Sequence, residues 1–243
     1  MAPKIVCIAG PTACGKTTLG VLLAQRFRGE VVSVDSMQIY RGMAIGTAAP
    51  TAEEMEGVPH HMIGVADPWE SWSVARFTQA ADACVQDILR RGRRPILVGG
   101  TGLYLDALLR GTDFAAGSQD TPLRRQLQER LRREGAEALL EELRRIDPDS
   151  AARLHLRDEK RILRALEVYQ ETGETITQHD RRTREQPPRY EGLFIGLNFK
   201  DRQDLRDRID RRVDDMVTQG LLDEVRSLLR SGLPRTATAR NCL

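Results

Sequence analysis

The sequence is poor in lysine and cysteine, and its charges nearly cancel. Only four of the 37 basic residues are lysines, and the formal net charge is +2. A charge this close to zero neither requires nor excludes a polyanionic partner. The four cysteines, at positions 7, 14, 84 and 242, form no CxxC pair. This spacing argues against a disulfide framework or a zinc site.

Membrane and secretion signals are missing as well. No apolar run approaches the roughly 20 residues that a membrane-spanning helix needs. The N-terminus opens on Lys4 and a strand-like "IVCIAG", without the charged-then-apolar pattern of a signal peptide. We therefore expect a cytoplasmic protein with no membrane partner. Its 243 residues, 40% of them hydrophobic, suffice for one large domain or for a core with an insertion.

The first half of the chain alternates strands and helices. An apolar run at 4–9 precedes leucines at helical spacing, and "EVVSVD" at 30–35 predicts a second buried strand. A helix over 74–88 and a strand at 95–98 repeat the unit. This order predicts an α/β fold in which a parallel sheet is flanked by helices. Ligands of such sheets lie at the carboxyl ends of the strands.

From about residue 113 the sequence becomes charged and helical, and strand character returns only at 192–199. This change predicts an all-helical insertion, assigned to 113–195, within a discontinuous core of 1–112 and 196–243. Residues 113–191 hold 16 Lys/Arg and 17 Asp/Glu, so a nucleic-acid surface there requires arginines gathered on one face. Residues 204–233 predict one final helix whose apolar face packs on the core.

A phosphate-binding loop follows the first strand. The pattern GxxxxGKT comprises Gly10, Pro11, Thr12, Ala13, Cys14, Gly15, Lys16 and Thr17. Such loops direct backbone N–H groups at phosphate oxygens, while the lysine neutralises charge and the threonine reaches Mg²⁺. The motif predicts a bound di- or triphosphate, and it does not specify ATP.

Other candidate residues fall at the same edge of the sheet. Asp35 could bind Mg²⁺ through water, act as a general base, or cap the following turn. Gln38 and Tyr40 are suited to contacting a planar ring, although either could serve in turn packing alone. "VGGTGLY" places Thr101 after a glycine turn; the turn could be a tight connection with no ligand, but its position opposite a phosphate loop favours a functional role. The pair His60–His61 is better explained by turn packing or a backbone hydrogen bond than by a metal. No later strand ends in the acidic motif of NTP hydrolases, which weakens that class of function.

Six segments together resemble the tRNA dimethylallyltransferase family. They are "GPTACGKT", "VDSMQIYRGMAIGTAAP", "PHHMI", "VGGTGLY", "RILRALEVYQETG" and "SGLPRTATA", in this order from about residue 4 to 239. The resemblance implies a kinase-like core and transfer of a dimethylallyl group from dimethylallyl diphosphate to a tRNA. The target would be N6 of the adenine 3′-adjacent to the anticodon. It also implies Mg²⁺ as cofactor and the anticodon stem-loop as partner.

The resemblance further implies roles for individual residues. Asp35 matches the general base, and Thr101 matches a hydroxyl near the breaking C–O bond. Lys16 and an arginine, Arg208 in preference to Arg212, would hold the diphosphate. The positions that match tRNA contacts are Asp35, Ser36, Met37, Gln38, Thr101, Leu123, Arg124, Glu159, Lys160, Arg161, Ile162 and Leu163. We expect the protein to act as a monomer.

Two other functions remain open at this point. A small-molecule or nucleoside kinase would use the same loop, Mg²⁺ and a nearby acidic residue. The "DSMQ" and "GGTG" segments favour the transferase. The second alternative is an inactive tRNA-binding remnant, because the sequence stops at "TATARNCL", where the family continues. We therefore expect a C-terminally truncated core.

Overall fold

A computed structural model describes residues 2–112, 121–234 and 237–239 of the chain. The chain divides into two compact units, Met1–Gly111 with Pro188–Leu243, and Thr112–Pro187. The predicted insertion, 113–195, extends beyond the second unit. Residues 188–195 group with the first unit because they include a strand of its sheet.

The first unit is built on a five-stranded sheet whose strands are all parallel. The strands are β1 (Lys4–Ala9), β2 (Gly29–Ser33), β3 (His60–His61), β4 (Arg94–Gly99) and β5 (Glu191–Gly196). Their spatial order is β3-β2-β4-β1-β5. The parallel α/β fold expected from the sequence is confirmed, and it brings the carboxyl ends of β1, β2 and β4 to one edge.

Helices connect the strands and form the second unit. In chain order they are α1 (Lys16–Phe27), α2 (Ala52–Met55), α3 (Val74–Arg90), α4 (Gly102–Arg110), α5 (Pro122–Ile146), α6 (Pro148–Ala151), α7 (Glu159–Thr172), α8 (Ile176–Glu185), α9 (Arg202–Thr218) and α10 (Leu221–Arg230). Helices α5 to α8 belong to the second unit, and the others to the first.

The strands β1, β2 and β4 are buried on both faces of the sheet, because neighbouring residues of a strand point to opposite sides and helices cover both. Ile8 of β1 packs in a cluster with Val21 and Ala24 of α1. Cys7, the preceding residue of β1, joins a larger cluster that contains Phe77 and Val85 of α3. Burial raises the pKa of the Cys7 thiol to about 12, so this cysteine is a core residue.

Helix α3 illustrates how the local sequence specifies an element. Ser73 caps it by accepting a hydrogen bond from the Arg76 amide at 3.2 Å. The apolar positions recur every three or four residues and form one buried face, as the sequence predicted; they are Phe77, Ala81, Val85 and Ile88.

The second unit has its own hydrophobic core, and its described residues contain helices and no strand. Leu139 and Leu143 of α5 pack with Ile162 and Leu166 of α7. Thr121 caps α5 through a 3.0 Å bond from the Arg124 amide. Leucines and isoleucines at helical spacing on α5 and α7 therefore form a hydrophobic core within this unit.

The end of the chain differs from its prediction. Gly220 adopts a left-handed conformation, φ 102°, and divides the expected single helix into α9 and α10. No described residue of α9 is buried. Val213 and Val217, expected to pack on the core, are 47% and 49% exposed. The predicted apolar packing is therefore wrong for this part of α9.

No helix among the residues that the structure describes is both long enough and apolar enough to cross a membrane.

Candidate active site

The phosphate loop joins β1 to α1 at the carboxyl edge of the sheet. Gly15 has φ 86°, a left-handed conformation that favours glycine, and α1 begins at the next residue. The Lys16 ammonium folds back over the loop and donates to the carbonyl oxygens of Gly10 at 3.0 Å and Pro11 at 2.6 Å. The loop is therefore closed around its own lysine at the positive end of a helix dipole.

A cavity of about 450 Å³ opens beside this loop. Its lining combines the segment 12–17 with residues that are distant in the sequence but belong to the same unit. These residues include Asp35, Gln38, Gly99, Gly100, Arg208 and Arg212. Ser36, Met37 and Thr101, which the sequence also placed at the site, do not line the cavity.

Asp35 lies two residues beyond the end of β2, not within the strand as predicted. Its Oδ1 accepts hydrogen bonds from the amides of Met37 at 2.8 Å and Gln38 at 3.3 Å. One carboxylate oxygen thus caps the turn that follows. The other oxygen, Oδ2, has no hydrogen bond from any described residue, so the carboxylate keeps an acceptor for a ligand.

Gln38 and Tyr40 are committed to internal contacts. The Gln38 amide accepts from the Ser33 hydroxyl at 2.8 Å and donates to the carbonyls of Thr47 at 3.3 Å and Ala48 at 3.0 Å. Tyr40 is only 2% exposed, and its hydroxyl donates to the Glu70 carbonyl at 3.3 Å. Of the two roles expected for Tyr40, its burial in the core supports packing and not contact with a planar ring.

The second glycine turn has a packing function. A Cβ on Gly99 would lie 2.0 Å from the carbonyl oxygen of Val34. Only glycine therefore allows the end of β4 to lie this close to the backbone of Val34. Thr101 is the residue that precedes α4, and its carbonyl accepts from the amides of Tyr104 and Leu105. Its hydroxyl makes no capping bond.

Arg208 and Arg212 both reach the phosphate loop from α9. Arg208 donates to the Ala13 carbonyl at 3.3 Å and also lies over the Phe199 ring at 5.6 Å. Arg212 donates to the Thr12 hydroxyl at 3.2 Å and to the Ala48 carbonyl at 3.5 Å. The sequence left the choice between these arginines open, and the structure places both at the loop.

The two adjacent histidines point to different surroundings because they alternate along β3. His60 lines the cavity, and its Nδ1 lies 2.9 Å from the Val58 carbonyl, the backbone contact that the sequence predicted. Burial lowers the pKa of the His60 imidazole below its ordinary value. His61 Nε2 lies 2.7 Å from the buried Glu30 carboxylate. Among the described residues no group of three or more metal-binding side chains occurs.

The second unit holds the remaining predicted residues. Glu159, Lys160 and Arg161 are exposed at the start of α7. Ile162 and Leu163 are 0% and 4% exposed within the core of this unit, so their side chains do not contact RNA in this conformation. Leu123 is half-buried against the same core.

Two arginines of the second unit are held by one buried carboxylate. Glu167 is 2% exposed, and its Oε2 accepts from Arg124 at 3.2 Å and Arg164 at 2.9 Å. The family resemblance predicts an RNA contact at Arg124. In the structure its guanidinium also forms a salt bridge between α5 and α7.

Sequence reasoning missed Glu224. Its two carboxylate oxygens accept hydrogen bonds from the amides of Ile45 at 2.9 Å and Gly46 at 2.8 Å. Ile45 lines the cavity. Ile45 and Gly46 are 179 and 178 residues away from Glu224 in the sequence. No local sequence pattern can indicate such a contact.

Fold and site together define a class of protein. A phosphate loop at the carboxyl edge of a parallel sheet, faced by two arginines and a carboxylate, is typical of α/β enzymes that act on phosphorylated substrates. Comparison with known proteins makes the class specific. Residues 38–243 match the family model described as IPP transferase, and residues 3–63 match the model described as isopentenyl transferase.

Named relatives agree with these models. The tRNA dimethylallyltransferase 1 of Pelobacter propionicus is 51% identical over 95% of this chain and 74% of its own length. The crystal structure of the tRNA isopentenylpyrophosphate transferase from Bacillus halodurans has a TM-score of 0.66 at 45% identity, covering 97% of this chain and 73% of that one. A eukaryotic dimethylallyltransferase acting on tRNA has a TM-score of 0.83 at 34% identity, covering 99% of this chain and 59% of that one.

This chain belongs to the tRNA dimethylallyltransferase family. The kinase alternative is not favoured by any of these relatives.

Proposed function

We propose that this protein transfers the dimethylallyl group of dimethylallyl diphosphate to N6 of the adenine 3′-adjacent to the anticodon of a tRNA. One observation carries the proposal: the phosphate loop, Arg208, Arg212 and Asp35 line a single cavity. Family membership supplies the chemical identity of donor and acceptor. In the reaction the allylic C–O bond breaks, the N6–C bond forms, and inorganic diphosphate leaves.

The diphosphate occupies the phosphate loop in this proposal. Negative charge on the diphosphate grows as the C–O bond breaks, and fixed positive groups lower the barrier by stabilising it. The amides at the start of α1, the Lys16 ammonium and the two α9 arginines supply that charge. Arginine suits this position because its planar fork donates two parallel hydrogen bonds to phosphate oxygens.

Asp35 accepts the proton that N6 loses. An exocyclic adenine amine is a weak nucleophile, and a carboxylate within hydrogen-bond reach removes the proton as the new bond forms. The amides of Met37 and Gln38 hold Oδ1, which fixes the orientation of the carboxylate. Oδ2 is then the proton acceptor.

Mg²⁺ fits the residues at the loop. Its preferred ligands are oxygens, and it binds through one or two protein groups together with substrate phosphates. The Thr17 hydroxyl lines the cavity at the loop, and it would hold the ion together with oxygens of the diphosphate, which leaves the Asp35 carboxylate free to act as the base. Bound Mg²⁺ would neutralise part of the charge on the diphosphate leaving group.

The tRNA is the proposed macromolecular partner, and the target adenine leaves its stack to enter the cavity. The exposed side chains of Glu159, Lys160 and Arg161 on α7 are available to the anticodon stem-loop. A cytoplasmic location and a monomeric state complete the proposal. Both follow from the substrate and the family and not from any contact in the structure.

A direct transfer assay tests the function. The protein is incubated with radiolabelled dimethylallyl diphosphate, Mg²⁺ and bulk tRNA, and the RNA is then digested to nucleosides. We expect label on adenosine alone. Absence of transfer, together with tRNA binding, would instead support a protein that binds tRNA without catalysis.

A further inference from the structure

One wall of the cavity is a short turn, residues 43–50, referred to below as the wall turn. The wall-turn residues that line the cavity are Ala44, Ile45, Thr47, Ala48, Ala49 and Pro50. The amides of Thr47, Ala48 and Ala49 donate back to carbonyls within the turn at 2.9 to 3.1 Å. The segment is thus a hydrogen-bonded turn in which the amides of Ile45 and Gly46 and the carbonyls of Thr47 and Ala48 make no bond within the turn itself.

The wall turn contains a residue in a disfavoured conformation. Ala48 has φ 49°, a left-handed geometry that is unfavourable for a residue with a Cβ. Such a conformation persists where surrounding contacts determine it. The side chains that bond to the two ends of the wall turn are therefore the groups that hold its shape.

Glu224 holds the first end. It lies in the first turn of α10 and accepts from two consecutive amides, Ile45 through Oε2 at 2.9 Å and Gly46 through Oε1 at 2.8 Å. Both carboxylate oxygens are used, and hydrogen bonds to an ionised acceptor are about twice as strong as neutral ones. Position 46 has little spare room, since a Cβ on Gly46 would lie 3.3 Å from Oε1.

The other end connects to the phosphate loop. Gln38 donates to the carbonyls of Thr47 and Ala48, and Arg212 donates to the Ala48 carbonyl at 3.5 Å. The same Arg212 guanidinium donates to Thr12 of the phosphate loop at 3.2 Å. A continuous series of contacts therefore runs from Glu224 through the wall turn to Arg212 and the loop.

We propose that Glu224 is a positioning residue for the diphosphate site: it fixes the wall turn, whose Ala48 carbonyl orients Arg212 at the phosphate loop. This inference rests on the function proposed above, because it takes the loop as a diphosphate site. Glu224 does not itself line the cavity. Its effect on the diphosphate site is transmitted through the wall turn to Arg212.

The test is a double-mutant cycle on binding of inorganic diphosphate with Mg²⁺, measured by isothermal titration calorimetry. Glu224→Gln keeps the size of the side chain but places an NH₂ group against an amide donor. We expect about 3- to 10-fold weaker diphosphate binding, because a charge-assisted hydrogen bond is lost and only part of its contribution reaches the site. In the Arg212→Ala background the same substitution should have no further effect, because its target is gone.

Two further variants separate positioning from folding. Asp223→Asn removes the neighbouring carboxylate of the same helical turn, which is 82% exposed and, among the residues that the structure describes, bonds to Arg226 of α10 alone. It should bind diphosphate like the unsubstituted protein. Glu224→Asp keeps the charge and should restore binding in part. This variant also keeps the test valid if Glu224→Gln fails to fold, because its own cycle with Arg212→Ala is then measured.

The outcomes are distinct. Additive effects of the Glu224 and Arg212 substitutions, or normal binding by Glu224→Gln, would overturn the positioning role. A protein that binds diphosphate but transfers no prenyl group to tRNA would contradict the proposed function, while the binding cycle would still decide the role of Glu224. Absence of diphosphate binding by the unsubstituted protein would overturn both.

Discussion

Arg208 and Arg212 lie one helical turn apart on α9 and bond to consecutive residues of the phosphate loop, Arg208 to Ala13 and Arg212 to Thr12. Because α9 has no buried residue, these arginine contacts are a large part of what joins the helix to the site. The two guanidinium groups are thus placed to contact phosphate oxygens that bind in the loop.

Replacing either arginine by lysine tests this arrangement. Arg208→Lys and Arg212→Lys keep the charge but lose the planar fork, and an arginine-to-lysine change at such a site is not conservative. We expect about tenfold weaker binding of diphosphate for each, equivalent to about 1.4 kcal/mol. Arg211→Lys is the matched control, because Arg211 bonds to the Asp207 carbonyl within α9. Equal effects of all three changes would assign the loss to the helix and not to the site.

Asp35→Asn separates catalysis from capping. Asparagine keeps an oxygen that accepts from the Met37 and Gln38 amides, so the turn and the thermal stability should be preserved. Loss of the base should lower kcat by roughly 10²–10⁴-fold, the usual contribution of general base catalysis, with diphosphate binding little changed. Single-turnover kinetics give the rate of the chemical step. Turnover near that of the unsubstituted protein would reduce Asp35 to a turn cap.

The exposed cations of α7 should contribute to RNA affinity. Changing Lys160 and Arg161 to glutamine should weaken tRNA binding and reduce the slope of log Kd against log salt by about 0.7–0.9 per lost contact. Arg132→Gln with Arg133→Gln removes the same charge from α5, where both side chains are exposed. If the control pair changes the slope equally, the effect is one of net charge and not of a defined contact.

Glu30 predicts how stability depends on pH. Its carboxylate is 2% exposed and is held by Arg91, with Arg93 and His61 nearby. The Arg91 hydrogen bond lowers the pKa of Glu30 from 4.5 to about 2. Because the folded state binds this proton less readily, the stabilisation is complete above about pH 5 and is lost as pH falls from about 5 to 2.

Denaturant titrations at several pH values measure this effect. Glu30→Gln should lower the free energy of unfolding at pH 7 by about 3 kcal/mol, the free energy that corresponds by linkage to a carboxyl pKa lowered from 4.5 to about 2. It should also flatten the decline in stability between pH 5 and 2. An unchanged acid limb in the variant would show that other carboxylates control acid unfolding.

Local patterns were sufficient for most of the fold. The glycine spacing of residues 10–17 and the apolar face of α3 specified their elements, because both depend on contacts between residues close in sequence. The break at Gly220 was missed, since an isolated glycine within a helical pattern is tolerated and does not by itself mark the end of a helix. The β5 boundary was also missed by a few residues.

The site was predictable in its residue types but not in its contacts. Asp35, Lys16 and the arginines were identified from motif and resemblance. The internal bonds of Gln38, the burial of Tyr40 and the ion pairs of Glu167 depend on partners brought together by the tertiary fold. Glu224 shows the limit most clearly, because its partners are far away in the chain and belong to no recognisable motif.

Prenyl transfer and kinase activity are distinguished in one experiment that compares donors and acceptors. The protein is given labelled dimethylallyl diphosphate with bulk tRNA and Mg²⁺, and in parallel γ-labelled ATP with nucleosides and small-molecule acceptors. We expect label on adenosine of the tRNA and no acceptor-dependent release of ADP. Acceptor-dependent ADP release without prenyl transfer would exclude the proposed function and assign the phosphate loop to a kinase.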